Sequence, residues 1–301
     1  MDGVIPLFKE KGMTSADCVY HLRKILHERR IGHTGTLDPE VDGVLPICVG
    51  QATKLVNRLL TGGKIYQGEV TLGYATTTED ATGDEIARQF IATPPSDHDV
   101  DQALQAMTGD INQVPPMFSA VKINGKRLYE YARAGETIER PSRQIHVDFF
   151  TRTSPITYDP NTGEVRFRFE VGCSKGTYVR TLATDLGVKL GYPSVMSDLR
   201  RLKSGGIELA QTVTLAEVEA AMASDQLVTV LRPIEQVLAN LPQQLLNETQ
   251  WQRVKNGGAL QLERQEPEVA LVFNDKIKAI YQYRVTSLGN YVAETMLLGN
   301  E

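Results

Sequence analysis

The chain has 301 residues, about two domains' worth at roughly 150 residues each. Apolar residues make up 41% and charged residues 23%, which excludes a wholly disordered chain. The net charge of −5, from 32 basic and 37 acidic residues, excludes a globally basic nucleic-acid coat but leaves room for a local basic surface.

Cys18, Cys48 and Cys173 are odd in number, far apart and outside any C-x-x-C pair. They predict neither a disulfide scaffold nor a structural zinc site, and fit a reducing cytosol. The start carries Asp2, and its apolar stretch, Val4 to Phe8, is short and holds Pro6. That predicts no export signal. No run approaches the roughly 20 apolar residues of a membrane span. A soluble cytoplasmic protein is expected.

In chain order, Thr14 to Asp17 reads as a capping box opening a helix with Cys18, Val19, Leu22, Ile25 and Leu26 on one face. A Gly-rich loop, Gly32 to Pro39, flows into the apolar segment Gly43 to Gly50. A helix with Ala52, Leu55, Val56, Leu59 and Leu60 is predicted next, then a strand from Ile65 to Leu72 ended by Gly73. Thr76 to Glu85 is polar and acidic, and reads as a loop. Val100, Ala103, Leu104 and Met107 mark a helix stopped by Gly109. Pro115-Pro116 opens a segment with six basic residues against three acidic ones up to Arg143, interleaved with Phe118, Tyr129 and Tyr131.

Val165, Phe167, Phe169 and Val171 alternate with Arg166, Arg168 and Glu170, which predicts a half-buried strand. It leads through Cys173 to Thr177 into a helix carrying Tyr178, Val179, Leu182, Ala183, Leu186 and Leu190. Thr214 to Glu217 is another capping box. Composition shifts near Leu238 to Pro242. A short helix around Gln250 to Lys255 and three strand-like runs, 269–273, 277–285 and 291–298, suggest a small appended β-barrel.

The chain has no G-x-x-x-x-G-K-[ST] loop, no G-x-G-x-x-G, no G-x-S-x-G and no H-E-x-x-H. Nucleotide, serine and zinc chemistry lose weight. Asp38 to Gly43 begins like a calcium loop, but the twelfth position is Val49 rather than a bidentate Glu, so that reading falls.

Asp38 sits where a Gly-rich loop meets an apolar segment, and Pro39 biases it toward extended backbone. Spacing alone allows a catalytic carboxylate, an Asx-turn or a helix cap. Arg180 falls in a first helical turn, where the macrodipole opposes it and a partner carboxylate is the simplest compensation. Tyr66 reads as a half-buried strand tyrosine on pattern alone, and His33 as a loop histidine. The segment 117–143 suits a solvated face or an RNA grip, where phosphates need cations and splayed bases need flat partners.

Taken together and in order, these motifs resemble the bacterial tRNA pseudouridine synthase B family. Lys9 to Ser15 is similar to its opening motif and Gly32 to Gly50 to its aspartate segment. Lys64-Ile65-Tyr66, with Leu72-Gly73 and Thr76 to Gly83, resembles its tyrosine strand and acidic loop. Pro115 to Lys122 with Gly125 to Arg133 resembles its RNA-gripping insertion. Gly172 to Arg180 and Leu199-Arg200-Arg201 complete the set. Glu10 and Val41-Asp42 depart from the pattern, and the C-terminal segment matches more loosely as PUA-like.

The resemblance implies an α+β fold, with a mixed, largely antiparallel sheet, flanking helices and a small C-terminal PUA-like barrel. It implies a catalytic domain at 1–238, with the insertion at about 115–143, and an RNA-binding domain at 239–301. The implied reaction converts uridine 55 of the tRNA T loop to pseudouridine, without a cofactor or metal. Asp38, Tyr66 and Arg180 would be catalytic: Asp38 attacks the nucleotide or assists glycosidic cleavage with sugar deprotonation. Arg180 keeps it ionised. Tyr66 stacks on the uracil, Tyr178 and Leu199 line the pocket, and His33 fills the space the flipped base leaves. Lys122, Lys126, Arg127, Arg133, Arg143, Arg200 and Arg201 are candidate RNA contacts, with Lys203 and Arg29-Arg30 extending the basic surface. The partner would be tRNA, through its T arm and acceptor end. No membrane or obligate protein partner is implied, and a monomer is expected. The contrasting class is a non-catalytic tRNA-binding or tRNA-folding chaperone.

Overall fold

The computed structural model describes residues 1–286 and 288–300. The chain divides into two compact units: residues 1–39, 43–60 and 205–301 in one, residues 40–42 and 61–204 in the other. Residues 239–301 thus group with the N-terminal segments. Both units are mixed α+β, as expected, and their longer strands pair antiparallel. Among the described residues, no helix is long and apolar enough to cross a membrane.

In the first unit, the strand Gly3–Lys9 pairs antiparallel with Asp42–Val49. Pro6 lies opposite Pro46 in this register, a pair that needs no N–H from either residue. Their carbonyls are used elsewhere: Val213 N–H donates to Pro6 at 2.8 Å and Thr34 N–H to Pro46 at 3.0 Å. Helix Ser15–Leu26 starts at the expected capping box, with Thr14 and Asp17 satisfying each other's backbone N–H, and buries Cys18, Val19, Leu22 and Leu26. The helix expected after Gly50 begins as a 3-10 turn, Gly50–Leu55, and becomes α-helical at Val56–Thr61.

Toward the C-terminus come helix Leu215–Ala223, strand Gln243–Leu245, helix Glu248–Val254 and the strands Glu268–Phe273, Lys276–Thr286 and Gly289–Met296. These four strands form one sheet in that order, whose first pair is parallel. The sheet is not packed only on itself. Ala270, Val272, Ile277, Ile280 and Leu297 share one apolar core with Val4, Val44, Cys48, Ala52, Leu55 and Leu59. A second core, with Tyr281 and Tyr291, lies on the C-terminal elements alone.

In the second unit, five antiparallel strands run in the order Ser194–Ser204, Lys64–Leu72, Glu164–Cys173, Arg143–Arg152 and Gly109–Gln113. The expected alternation holds at Val165, Phe167, Phe169 and Val171, all buried. Gly68 is a close approach: a Cβ there would meet the Phe169 ring, the Asp198 carbonyl and Leu199. The acidic loop is flanked by a short hairpin, Tyr74–Thr76 with Glu85–Arg88. Helix Asp97–Gln105 precedes the edge strand, and helix Val179–Leu190 follows Glu164–Cys173.

Candidate active site

Asp38 lies in the first unit on a loop tied down on either side. Ahead of it, Leu37 N–H donates to Ser15 Oγ at 2.9 Å, and Thr34 N–H and hydroxyl reach the Pro46 carbonyl at 3.0 and 3.3 Å. Behind it, the Pro39 carbonyl accepts from Gly12 N–H at 2.9 Å and from Lys9 Nζ at 3.2 Å. Lys9 is fully buried and also donates to the Glu10 and Met13 carbonyls at 2.9 and 2.6 Å. Leu37 is buried, whereas Asp38 itself is half-exposed. The backbone on either side of this half-exposed carboxylate is fixed, as pre-organised chemistry requires. His33, also half-buried, ends the short strand Ile31–His33 opposite Ile47.

Tyr66, Tyr178, Arg180 and Leu199 belong to the second unit. Tyr66 sits opposite Arg201 across two strands, and Leu199 opposite Gly68 two residues along. All four positions therefore share one face of the sheet. Tyr66 and Leu199 are buried at 7% and 6% exposure. Arg201 Cζ stands 6.0 Å from the Tyr66 ring centroid, at the outer reach of a cation–π contact.

Helix Val179–Leu190 begins at Tyr178, whose side chain provides no cap. Arg180, in its first turn, is buried. The macrodipole opposes a cation there, and within this unit the compensation comes mainly from carbonyls. Nη1 donates to the Thr78 carbonyl at 2.7 Å and Nη2 to the Phe118 carbonyl at 2.8 Å, while the Asp80 carboxylate lies 3.9 Å away. One guanidinium thus holds the acidic loop and the start of the insertion together.

The acidic loop is itself braced. Asp80 Oδ1 accepts from the Thr78 and Thr82 hydroxyls at 2.7 and 2.6 Å. Glu79 adopts a left-handed backbone, φ 65°, uncommon for a non-glycine residue. Its carbonyl accepts from Met196 N–H at 3.1 Å and its carboxylate from Thr181 Oγ1 at 2.7 Å. Burial pushes the Glu79 carboxyl above its ordinary value, against the pull of the Thr181 hydroxyl and the Arg180 and Arg140 charges.

The candidate RNA contacts divide. Lys122, Arg127, Arg133 and Arg143 are exposed on the insertion. Arg127 and Arg133 lie 5.8 and 5.3 Å from the Tyr129 ring, and Lys126 4.4 Å from that of Tyr131, while also pairing with Glu136. Arg200 is exposed, but its fork is spent on Asp42, with two bonds of 2.7 Å. Arg201 is fully buried. Placing Arg201 on a basic surface is therefore corrected: the strand pairing that puts it opposite Tyr66 turns it into the fold. Three residues near the site had no functional reading in the sequence: Lys9, Gln113 and Glu79. Gln113 is buried, and its side-chain amide pairs with the backbone of Tyr178.

A model of the TruB family pseudouridylate synthase N-terminal domain matches residues 23–179, and one of the tRNA pseudouridylate synthase B C-terminal domain matches residues 180–239. The chain is similar to a tRNA pseudouridine synthase B of Levilactobacillus brevis, 56% identical over 94% of this chain and 95% of the other. It is also similar to one of Ligilactobacillus salivarius, 50% identical over 99% of both. Among solved structures, a chain of a Cbf5-Nop10-Gar1 complex superposes with a TM-score of 0.70 at 26% identity, covering 98% of this chain and 84% of that one. The chain belongs to the TruB family of pseudouridylate synthases.

Proposed function

We propose that this protein isomerises uridine 55 in the T loop of tRNA to pseudouridine, in the cytoplasm. The observation that carries the reading is Asp38: a half-exposed carboxylate on a backbone pinned at Leu37 and Pro39, in a chain that belongs to a pseudouridylate synthase family. The reaction breaks the N1–C1′ bond, turns the uracil and joins C5 to C1′. N1 takes up a proton, the C5 hydrogen leaves to solvent, and no electrons are gained or lost.

The target nucleotide leaves the stack at a cost of a few kcal/mol. Tyr66 stacks on the flipped uracil and receives the C5 proton directly or through water. Tyr178 and Leu199 line the pocket, and His33 takes the place the base has left. Asp38 acts ionised, either as the nucleophile or as the base that deprotonates the sugar. Arg180 is the proposed orienting group. Its rigid fork, set by the Thr78 and Phe118 carbonyls, suits it to orienting a carboxylate.

The exposed insertion cations, Lys122, Arg127, Arg133 and Arg143, grip tRNA phosphates, with Lys126 at their edge and Tyr129 and Tyr131 as flat partners. Residues 239–301 act as the PUA-like RNA-binding part and hold the acceptor end. The enzyme works as a monomer.

The test is tritium release from a tRNA transcript labelled at uridine C5. One tritium per tRNA, abolished when uridine 55 is replaced, supports the reading. Tight tRNA binding with no release contradicts it and leaves a tRNA-folding role.

A further inference from the structure

Gln113 ends the edge strand Gly109–Gln113, two residues before the Pro115-Pro116 pair that opens the insertion. At 3% exposure it is a buried polar side chain, which must find partners or cost stability. Both of its amide atoms go to a single residue of another element. Tyr178 N–H donates to Gln113 Oε1 at 2.8 Å, and Gln113 Nε2 donates to the Tyr178 carbonyl at 3.0 Å. The pairing matches donor to acceptor in both directions, as a strand bridge would.

Tyr178 needs such a partner. It is the N-cap of helix Val179–Leu190, it is extended at φ −100° and ψ 108°, and its own side chain makes no cap bond. Gln113 takes up the first of the orphan N–H groups at the helix start, and shares the Tyr178 carbonyl with Leu182 N–H at 3.1 Å. Two residues on, Arg180 Nη2 reaches the Phe118 carbonyl at 2.8 Å. The segments 113–118 and 178–180 are thereby joined at both ends. Arg140 Nη1, on the returning limb of the insertion, closes onto the same base through the Pro115 carbonyl at 3.0 Å.

We infer that Gln113 is a positioning residue for the isomerisation. It holds the Tyr178 backbone by both its N–H and its carbonyl, sets the direction in which the Tyr178 ring and the Arg180 guanidinium leave the helix start, and ties the base of the insertion to the wall of the uracil pocket. The inference rests on the roles proposed above for Tyr178 and Arg180. At neutral pH a glutamine side chain meets both requirements where its near neighbours in size do not. Asparagine is one bond, about 1.5 Å, too short. An ionised glutamate offers two acceptors and sets an oxygen against the Tyr178 carbonyl.

The experiment compares Gln113→Ala, Gln113→Asn and Gln113→Glu with the wild type by tRNA binding and by single-turnover tritium release at saturating enzyme. Expected is a rate about 10- to 100-fold lower in the Ala and Asn variants, with tRNA affinity within about threefold. The Glu variant should regain rate, relative to the wild type, as pH falls from about 8 to 5.5, because the protonated carboxyl restores a donor to the Tyr178 carbonyl. A wild-type rate in Gln113→Ala overturns the inference. So does a loss that matches the unfolded fraction seen by circular dichroism, or a Glu variant whose deficit does not change with pH. Tyr178→Leu and Arg180→Lys are run alongside. If those two keep wild-type turnover, the reading of the site fails. If they lose it while Gln113→Ala does not, only the positioning role fails.

Discussion

The ammonium of Lys9 donates to the carbonyl of Pro39 at 3.2 Å, one residue beyond Asp38, from a side chain with no exposed surface. Lys9 ends the strand Gly3–Lys9, so the sheet of the first unit reaches the loop of the candidate carboxylate through one buried cation. Lys9→Met keeps the stem but leaves the carbonyls of Glu10, Met13 and Pro39 short of a donor. Stability should fall by about 1–3 kcal/mol in urea denaturation. Tritium release should fall by more than the folded fraction does, because the loop is then loose.

Arg180→Lys should bind tRNA nearly as well as the wild type and turn it over about 100-fold more slowly. A lysine has one nitrogen where the guanidinium divides two between the Thr78 and Phe118 carbonyls. Filter binding beside single-turnover release separates the two effects.

Glu79 links the site to pH. Burial raises its folded-state value above that of the unfolded chain. Below the unfolded value the group is protonated in both states and costs nothing. As pH rises through the window between the two values, the unfolded state ionises first and stability declines; above the folded value the loss is complete. Glu79→Gln keeps an acceptor for Thr181 Oγ1 and removes the charge. Its stability curve from about pH 4 to 7 should be flatter than that of the wild type, measured by urea denaturation at each pH.

The three thiols should be silent in the folded protein. All are buried; burial pushes Cys48 up to about 12 and Cys173 to about 11, and raises Cys18 as well. The thiolate is the reactive form. A chromogenic disulfide at neutral pH should label none of the three until denaturant is added.

The N-terminal segments of the first unit should not hold their fold without residues 239–301. The C-terminal sheet supplies Ala270, Val272, Ile277, Ile280 and Leu297 to a core shared with Val4, Val44 and Leu55. At about 1.5–3 kcal/mol per large buried apolar side chain, exposing that core removes most of the roughly 5–15 kcal/mol that keeps a domain folded. Limited proteolysis and circular dichroism of the truncated chain check this.

What the sequence made legible was local. The capping boxes at Thr14/Asp17 and Thr214/Glu217 set helix starts within four residues of chain, and both are present. The alternation from Val165 to Val171 is unbroken, and so is its strand. Of the strands that escaped notice, three did so for identifiable reasons. Arg143–Arg152 carries an irregularity between Val147 and Phe149, and Ser194–Ser204 carries two, at Met196/Asp198 and Arg201/Lys203. Each shifts the period-2 pattern onto the other face. Gly3–Lys9 is buried on both faces and contains Pro6, so it shows neither alternation nor the usual strand composition. Asp38 stood out because its own loop chemistry marks it. Gln113 did not, because its partner lies 65 residues away and nothing beside it in the chain hints at that pairing.

The most direct measurement is single-turnover tritium release with wild type and Asp38→Asn on one C5-labelled tRNA transcript, at enzyme concentrations that saturate both. The substitution keeps the shape of a side chain whose backbone is pinned by Ser15 and Lys9, so tRNA binding should persist. The predicted result is one tritium per tRNA from the wild type and none above background from Asp38→Asn. Release by the variant at a rate near that of the wild type would contradict the assignment of the chemistry to Asp38.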